Sequence, residues 1–172
     1  MTFIRKNIFK AMSIDEKEQF CSNIEAYKLN MFRLAKTIVR NDVDVEDAVC
    51  EAICKAYTNR HALRNVNSFK PWIMRIVANE SYNITNRRKR TVYYEEIALK
   101  EEVLEENTAE LWSVVQNLED EFRAVTVLFY YEDMSIKDIS KTLDIPQGTV
   151  KSRLSRARAK LKEQLYEGSN ES

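Results

Sequence analysis

Glycine and proline are scarce in this 172-residue chain, two of each, which excludes a turn-rich β fold. No sustained apolar/polar alternation marks a strand, so the expected class is all-α. No run of about 18 apolar residues occurs, and the opening MTFIRKNIFKAM lacks an unbroken apolar stretch of signal-peptide length. A cytoplasmic location is expected. Histidine is limited to His61, and neither a glycine-rich phosphate loop nor a nucleophile beside a base is found, so the pattern argues against an enzyme, a cofactor or a small-molecule substrate. The cysteines, Cys21, Cys50 and Cys54, are odd in number and lack metal-finger spacing, which predicts reduced thiols buried in helices. Cys50 and Cys54 stand one turn apart, so with Cys21 and His61 a metal site is the competing reading. None is assigned.

What the chain does have is helical periodicity. Ser13 and Glu16 form a capping box ahead of Phe20, Ile24, Tyr27, Met31, Leu34 and Ile38, which recur at spacings of three and four on one face. A second helix is predicted from near Asp44, with Val45, Ala48, Val49, Ala52, Ile53, Ala56 and Tyr57 inward, and Glu46, Asp47, Glu51 and Lys55 on other faces. Its exposed side is acidic. After a polar stretch over residues 59–68, Phe69, Trp72, Ile73, Ile76, Val77 and Ile84 define the buried face of a third helix. Beside that face run Arg75, Asn79, Tyr82 and Asn86, with Asn83 adjoining, and the helix ends in Arg87, Arg88, Lys89 and Arg90. Amides can hydrogen-bond bases, tyrosine can stack on one and the cations can hold phosphates, which suits opened DNA. The bland alternative is a polar face whose basic end complements the helix dipole.

Over residues 91–110 the periodicity dissolves. Seven glutamates stand against Lys100, a local −6, which predicts a linker over residues 91–107 between domains at 13–90 and 108–166. Order resumes with Leu111, Val115 and Leu118. Residues 122–131 are apolar on most sides and are expected at the centre of the second domain.

The richest segment is MSIKDISKTLDIPQGTVKSRLSRARAKLKEQLY, residues 134–166. Ser135 and Asp138 fit a cap, and Ile136, Ile139 and Leu143 share one face, giving a short helix over residues 135–143. Asp144, Ile145 and Pro146 break it, since the residue before proline avoids helical angles while proline suits a first helical turn. In the next helix Val150, Leu154, Ala157, Leu161 and Leu165 form an apolar stripe, with Ser152, Ser155 and Arg156 opposite, flanked by Lys151 and Arg153. Between Gln147 and Lys162 six cations meet no acid, a local +6 in a chain whose 27 basic and 27 acidic residues cancel. This reads as a helix-turn-helix: Lys151, Ser152, Ser155 and Arg156 are placed for base edges, and Thr149, Arg153 and Arg158 for the phosphate backbone. A solvated amphipathic helix is the alternative.

Two helical domains, an acidic linker and a carboxy-terminal helix-turn-helix together resemble a bacterial sigma factor of the extracytoplasmic-function (ECF) group, with domains two and four only. The resemblance covers residues 20–166 and rests on DVEDAVCEAICKAY (44–57), FKPWIMRIVANESYNITNRRKR (69–90) and the stretch from Phe122 through IPQGTVKSRLSRARAKL. It implies a non-catalytic subunit that binds core RNA polymerase, directs it to promoter DNA and helps open it. Carried onto this chain, it places Asp44, Asp47 and Glu51 against the polymerase clamp helices. Asn65, Asn67, Ser68, Asn79 and Asn83, joined by the stripe residues Arg75 and Tyr82 and by Arg87, fall at the −10 element. The last helix falls at the −35 element. The resemblance also implies a membrane-bound anti-sigma factor that holds the protein inactive. Cys50 and Ile53 stand where glutamine and phenylalanine are expected, and Asn83 where aspartate is common.

A stand-alone dimeric helix-turn-helix regulator would account for residues 108–166 but leaves the first domain and the linker unexplained. A protein-binding helical adaptor would show no salt-sensitive DNA affinity.

Overall fold

Ser13 opens the first helix of the computed structural model. Its Oγ accepts from the Glu16 N–H at 3.1 Å while a Glu16 carboxylate oxygen accepts from the Ser13 N–H at 2.9 Å, the reciprocal box the spacing predicts. The structure describes residues 13–63, 65, 68–91 and 106–170. Asn67 and residues 92–105 of the expected linker lie outside them. Among the described residues there are helices and no strands, as the scarcity of turn residues predicts.

Helix α1 (Ile14–Val39) buries Met31, Leu34 and Ile38. Helix α2 (Asp42–Thr58) starts two residues before the expected Asp44, because the Asn41 side chain caps it by accepting from the N–H groups of Val43 and Asp44. After a 3-10 turn at Arg60–Ala62 comes α3 (Phe69–Thr91), which continues to the residue where the linker was expected to begin. Helix α3 packs along both α1 and α2. Phe69 anchors its start, stacked on Tyr27 at 5.9 Å and edge-on to Phe20 at 6.3 Å.

The second half holds α4 (Glu106–Gln116), α5 (Asp120–Thr126) running into a π-helical turn (Val127–Tyr131), α6 (Ile136–Leu143) and α7 (Gln147–Asn170). Of the run 122–131 expected at the centre, residues 122–128 are buried throughout, Arg123 with them, but Phe129 and Tyr131 are only partly buried and Tyr130 is exposed. Ser135 caps α6, accepting from the Asp138 N–H at 3.1 Å. The break falls where Asp144, Ile145 and Pro146 predict it: Asp144 adopts left-handed angles (φ 54°, ψ 45°), a conformation short polar side chains tolerate. The Ile145 N–H then reaches back to the Ser140 carbonyl at 3.1 Å and closes the turn.

Two separate domains were expected, yet one apolar core runs through both halves. Met31, Ile73, Val77, Val125, Leu128, Ile139 and Leu154 belong to a single buried cluster, and α6 lies against α3 while α5 lies against α1. Charged groups cross the same seam. Arg123, fully buried, donates to the Thr37 carbonyl of α1 at 2.7 Å, to the Leu118 carbonyl at 2.8 Å and to the Asp120 carboxylate at 2.6 Å.

Some inward assignments did not hold. Cys21, Cys50 and Cys54 are all exposed rather than buried: α2 turns Val45, Ala48, Val49, Ala52 and Ala56 inward, which swings positions 50 and 54 toward solvent. No cluster of three metal-ligating side chains occurs among the described residues. Tyr57 is 44% exposed, its ring lying edge-on to Phe20 at 5.7 Å, and Leu111 and Leu165 are similarly open.

Candidate nucleic-acid interface

Helix α7 presents the two faces its sequence predicts. Val150, Leu154 and Ala157 are buried, Leu161 packs beside them on Leu118 and Phe122, and Leu165 lies past the buried stretch. Lys151, Ser152, Ser155, Arg156 and Arg158 are exposed on the outside, with Thr149 and Arg153 half-buried at its margins. Two of the candidate phosphate contacts have neighbours. Arg153 pairs with Glu121 at 2.8 Å, and Arg158 donates to the Tyr130 hydroxyl at 3.4 Å. Ser152 Oγ donates to the Thr149 carbonyl at 3.0 Å, and Lys160 pairs with Glu119 at 2.6 Å. Those lysine contacts hold the Glu119 carboxyl below the usual range.

On α3 the candidate stripe is largely open. Arg75, Asn79, Asn83 and Arg87 are exposed, and Asn65 and Ser68 are exposed just ahead of the helix. Tyr82 departs from the stripe. It is partly buried at the seam, where desolvation pushes its phenol up while Arg153 and Arg123 pull the other way.

The acidic face of α2 keeps Glu46, Asp47 and Glu51 exposed. Asp44 does not belong to it. Only 5% exposed, Asp44 accepts from Arg88 at 2.6 Å and ties the start of α2 to the end of α3. Asp44 lies on the inward side of α2's first turn with its neighbour Val45, while Asp42 and Val43 face solvent. One turn beyond the acidic face, Lys55 donates to the buried Glu80, which raises the lysine pKa.

Sequence reasoning missed Glu132. Its side chain is fully buried and accepts from Asn30, from Arg33 at 2.8 Å and from Lys70, whose ammonium lies 3.5 Å from the carboxylate and also donates to the Glu132 backbone carbonyl. All three partners come from α1 and α3. A glutamate bordering an apolar run is the trace it leaves in the sequence.

Residues 24–91 match the family model described as Sigma-70 region 2, and residues 108–161 the model for Sigma-70, region 4. The chain is 28% identical to the ECF RNA polymerase sigma factor SigW of Bacillus subtilis, a match covering 96% of this chain and 98% of the relative. It is 30% identical to the ECF RNA polymerase sigma factor SigM of Mycobacterium tuberculosis over 76% of this chain and 69% of the relative. Among solved structures, the sigma factor RpoE of Bartonella quintana, determined in complex with the anti-sigma factor NepR, superposes with a TM-score of 0.71 at 23% identity, covering 90% of this chain and 98% of that one. CnrH, determined in complex with the cytosolic domain of CnrY, does so with a TM-score of 0.60 at 23% identity, over 87% of this chain and 88% of that one. These last two likenesses are of fold.

Proposed function

The chain belongs to the ECF group of RNA polymerase sigma factors, and from that premise we propose which of its surfaces carry the work. The protein is a transcription initiation factor that binds core RNA polymerase and directs it to promoters. The outer face of α7 reads the −35 element, with Lys151, Ser152, Ser155 and Arg156 toward base edges and Thr149, Arg153 and Arg158 toward phosphates. Helix α3 and the residues before it take the opened −10 element, with Asn65, Asn67, Ser68, Arg75, Asn79, Asn83 and Arg87 as contacts, joined by Tyr82 when the seam parts. Asp47 and Glu51, with Glu46 beside them, face the polymerase. Asp44 supports this face from behind by fixing α2 to α3.

The observation that carries this reading is the split of α7 into a buried apolar stripe and an outer face holding Lys151, Arg156 and Arg158 without an acidic partner among the described residues. Such a face offers donors at base-edge spacing and cations at its flanks. The protein works in the cytoplasm and is held inactive by an anti-sigma factor anchored in the membrane. No helix among the described residues is long and apolar enough to cross a membrane.

Run-off transcription with purified core enzyme and a pool of promoters tests the reading. Specific transcripts are expected only when the chain is added. Tight sequence-specific binding by the isolated chain, with no transcription when core is present, would overturn it in favour of a stand-alone regulator.

A further inference from the structure

The turn that joins α1 to α2 is an unusual place for arginine. The Asn41 N–H donates to the Val39 carbonyl at 2.8 Å, and Arg40 between them takes φ 65° and ψ −33°. This is close to the γ-turn with a positive central φ, which is rare and strained. Any side chain there costs free energy that glycine would not. Such a backbone outlier points to a use for the side chain it carries.

Arg40 lines a cleft of about 430 Å³ whose walls include Ile38 and Val39 of α1, Asp44 of α2, Arg88 of α3 and Asp120 of α5. That volume falls within the range of small-molecule sites, about 300–1,000 Å³. Ile38 is buried and Val39 half-buried, which gives the cleft an apolar wall. Its charges do not balance. Asp44 is taken by Arg88 and Asp120 by the buried Arg123 at 2.6 Å. Arg40, 3.7 Å from Asp120, therefore reaches no carboxylate at hydrogen-bonding distance among the described residues. Three guanidiniums share two carboxylates, and burial first, then the nearby Arg40, pushes the Arg123 pKa below its usual value. Each guanidinium carries five N–H donors. Arg88 turns two nitrogens to Asp44, and both Arg40 and Arg88 keep about half of their side chains open to the solvent in the cleft.

An anion answers this surplus. A guanidinium fork matches phosphate oxygens two at a time. Forks arriving from the end of α1 and from near the end of α3 suit the tetrahedral oxygens of a phosphate better than the two coplanar oxygens of a carboxylate. A phosphate monoester carries a charge of about −1.5 to −2 at neutral pH. A nucleic-acid phosphate carries a single charge and continues into chain on both sides. We propose that the cleft binds a small phosphate monoester, with Arg40 and Arg88 on its phosphate and its organic group against Ile38 and Val39. A ligand so placed touches the same Arg88 that ties α3 to α2. The site goes beyond the function proposed above and does not rest on it.

Calorimetric titration of the full chain tests the site. Phenyl phosphate serves as the probe monoester, inorganic phosphate as the anion without an organic group, and benzoate as the same ring on a carboxylate. Phenyl phosphate should bind with a Kd below about 1 mM and about tenfold more tightly than either comparator. Arg40→Gly removes the guanidinium and gives the turn the residue its angles favour, so binding should be lost while the melting temperature stays within about 4 °C of the parent's. Arg40→Gln keeps the length of the side chain without its charge and should lose binding as well. Absence of binding heat with phenyl phosphate, benzoate binding as tightly, or undiminished binding by either variant would each overturn the site. Displacement of phenyl phosphate by a single-stranded −10 oligonucleotide would overturn it in favour of a nucleic-acid contact. A larger fall in the melting temperature of Arg40→Gly would make Arg40 a structural residue and overturn its role as the anchor. None of these readings involves polymerase or run-off, so the function proposed above stands or falls separately.

Discussion

Arg88 near the end of α3 holds Asp44 in the first turn of α2 through a two-point ion pair, the second contact at 2.6 Å, with the carboxylate side chain 8% exposed and the guanidinium 50% exposed. The pair joins the helix proposed to face polymerase to the helix proposed to face DNA. It fixes the angle between those two surfaces, so the carboxylate acts on structure before it acts on any partner.

Asp44→Ala should therefore lower stability by about 0.5–1.5 kcal/mol, the net worth of the lost contact, since the half-exposed Arg88 guanidinium left behind is satisfied by water. Urea denaturation gives the loss directly. Its affinity for core polymerase at a temperature where it is folded should stay within about twofold of the parent. A larger loss of core affinity with unchanged stability would return Asp44 to the polymerase contact.

Asp47→Lys with Glu51→Lys should behave in the opposite way. Both positions are exposed, and the pair that Glu51 makes with Lys55 at 3.6 Å spans one exposed helical turn, worth about 0.3–0.5 kcal/mol. The fold should survive while competition for core enzyme weakens, because like charge placed against a complementary surface costs association. A double variant that competes as well as the parent removes this face from the polymerase interface.

Asn79→Ala and Asn83→Ala should each relax selectivity at a single −10 position, by about 1–3 kcal/mol if the amide contacts a base. Both side chains are exposed, so thermal unfolding should move little. Template with a pre-opened −10 bubble should rescue part of the initiation defect, since it supplies the melting but not the contact. Unchanged base preference in both variants would leave the stripe as a solvated polar face.

The parts of this molecule that were legible in its sequence are those determined within a few residues. The Ser13 box, the Ser135 cap and the α7 stripe each depend on spacings of three or four, and each stands where the spacing puts it. The seam was not legible, because the partners of Glu132 lie 62 to 102 positions away and no local pattern names them. Tyr82 shows the same limit: it shares a helical face with Asn79 and Asn86, which are exposed, yet it is partly buried against the core cluster that runs through both halves. The cysteines were read by residue type, where for Cys50 and Cys54 the angle around α2 decided their exposure.

On α7 the roles of two arginines can be separated by one set of titrations. Arg156 is exposed opposite the Val150 and Leu154 stripe, whereas Arg158 lies beside it and reaches the Tyr130 hydroxyl at 3.4 Å. Arg156→Ala should lose about 1–3 kcal/mol of discrimination at one −35 base pair, the scale of a base contact. Arg158→Ala should weaken all −35 sequences about equally and lower the salt slope by about one phosphate contact. The holoenzyme formed with each variant is titrated on promoters carrying every −35 substitution at several salt concentrations. If Arg156→Ala leaves the rank order of promoters untouched while Arg158→Ala reshuffles it, the helix enters the groove rotated toward Arg158. The base-edge group then shifts to the residues one turn either side of it, Leu154 being excluded by its burial in the core.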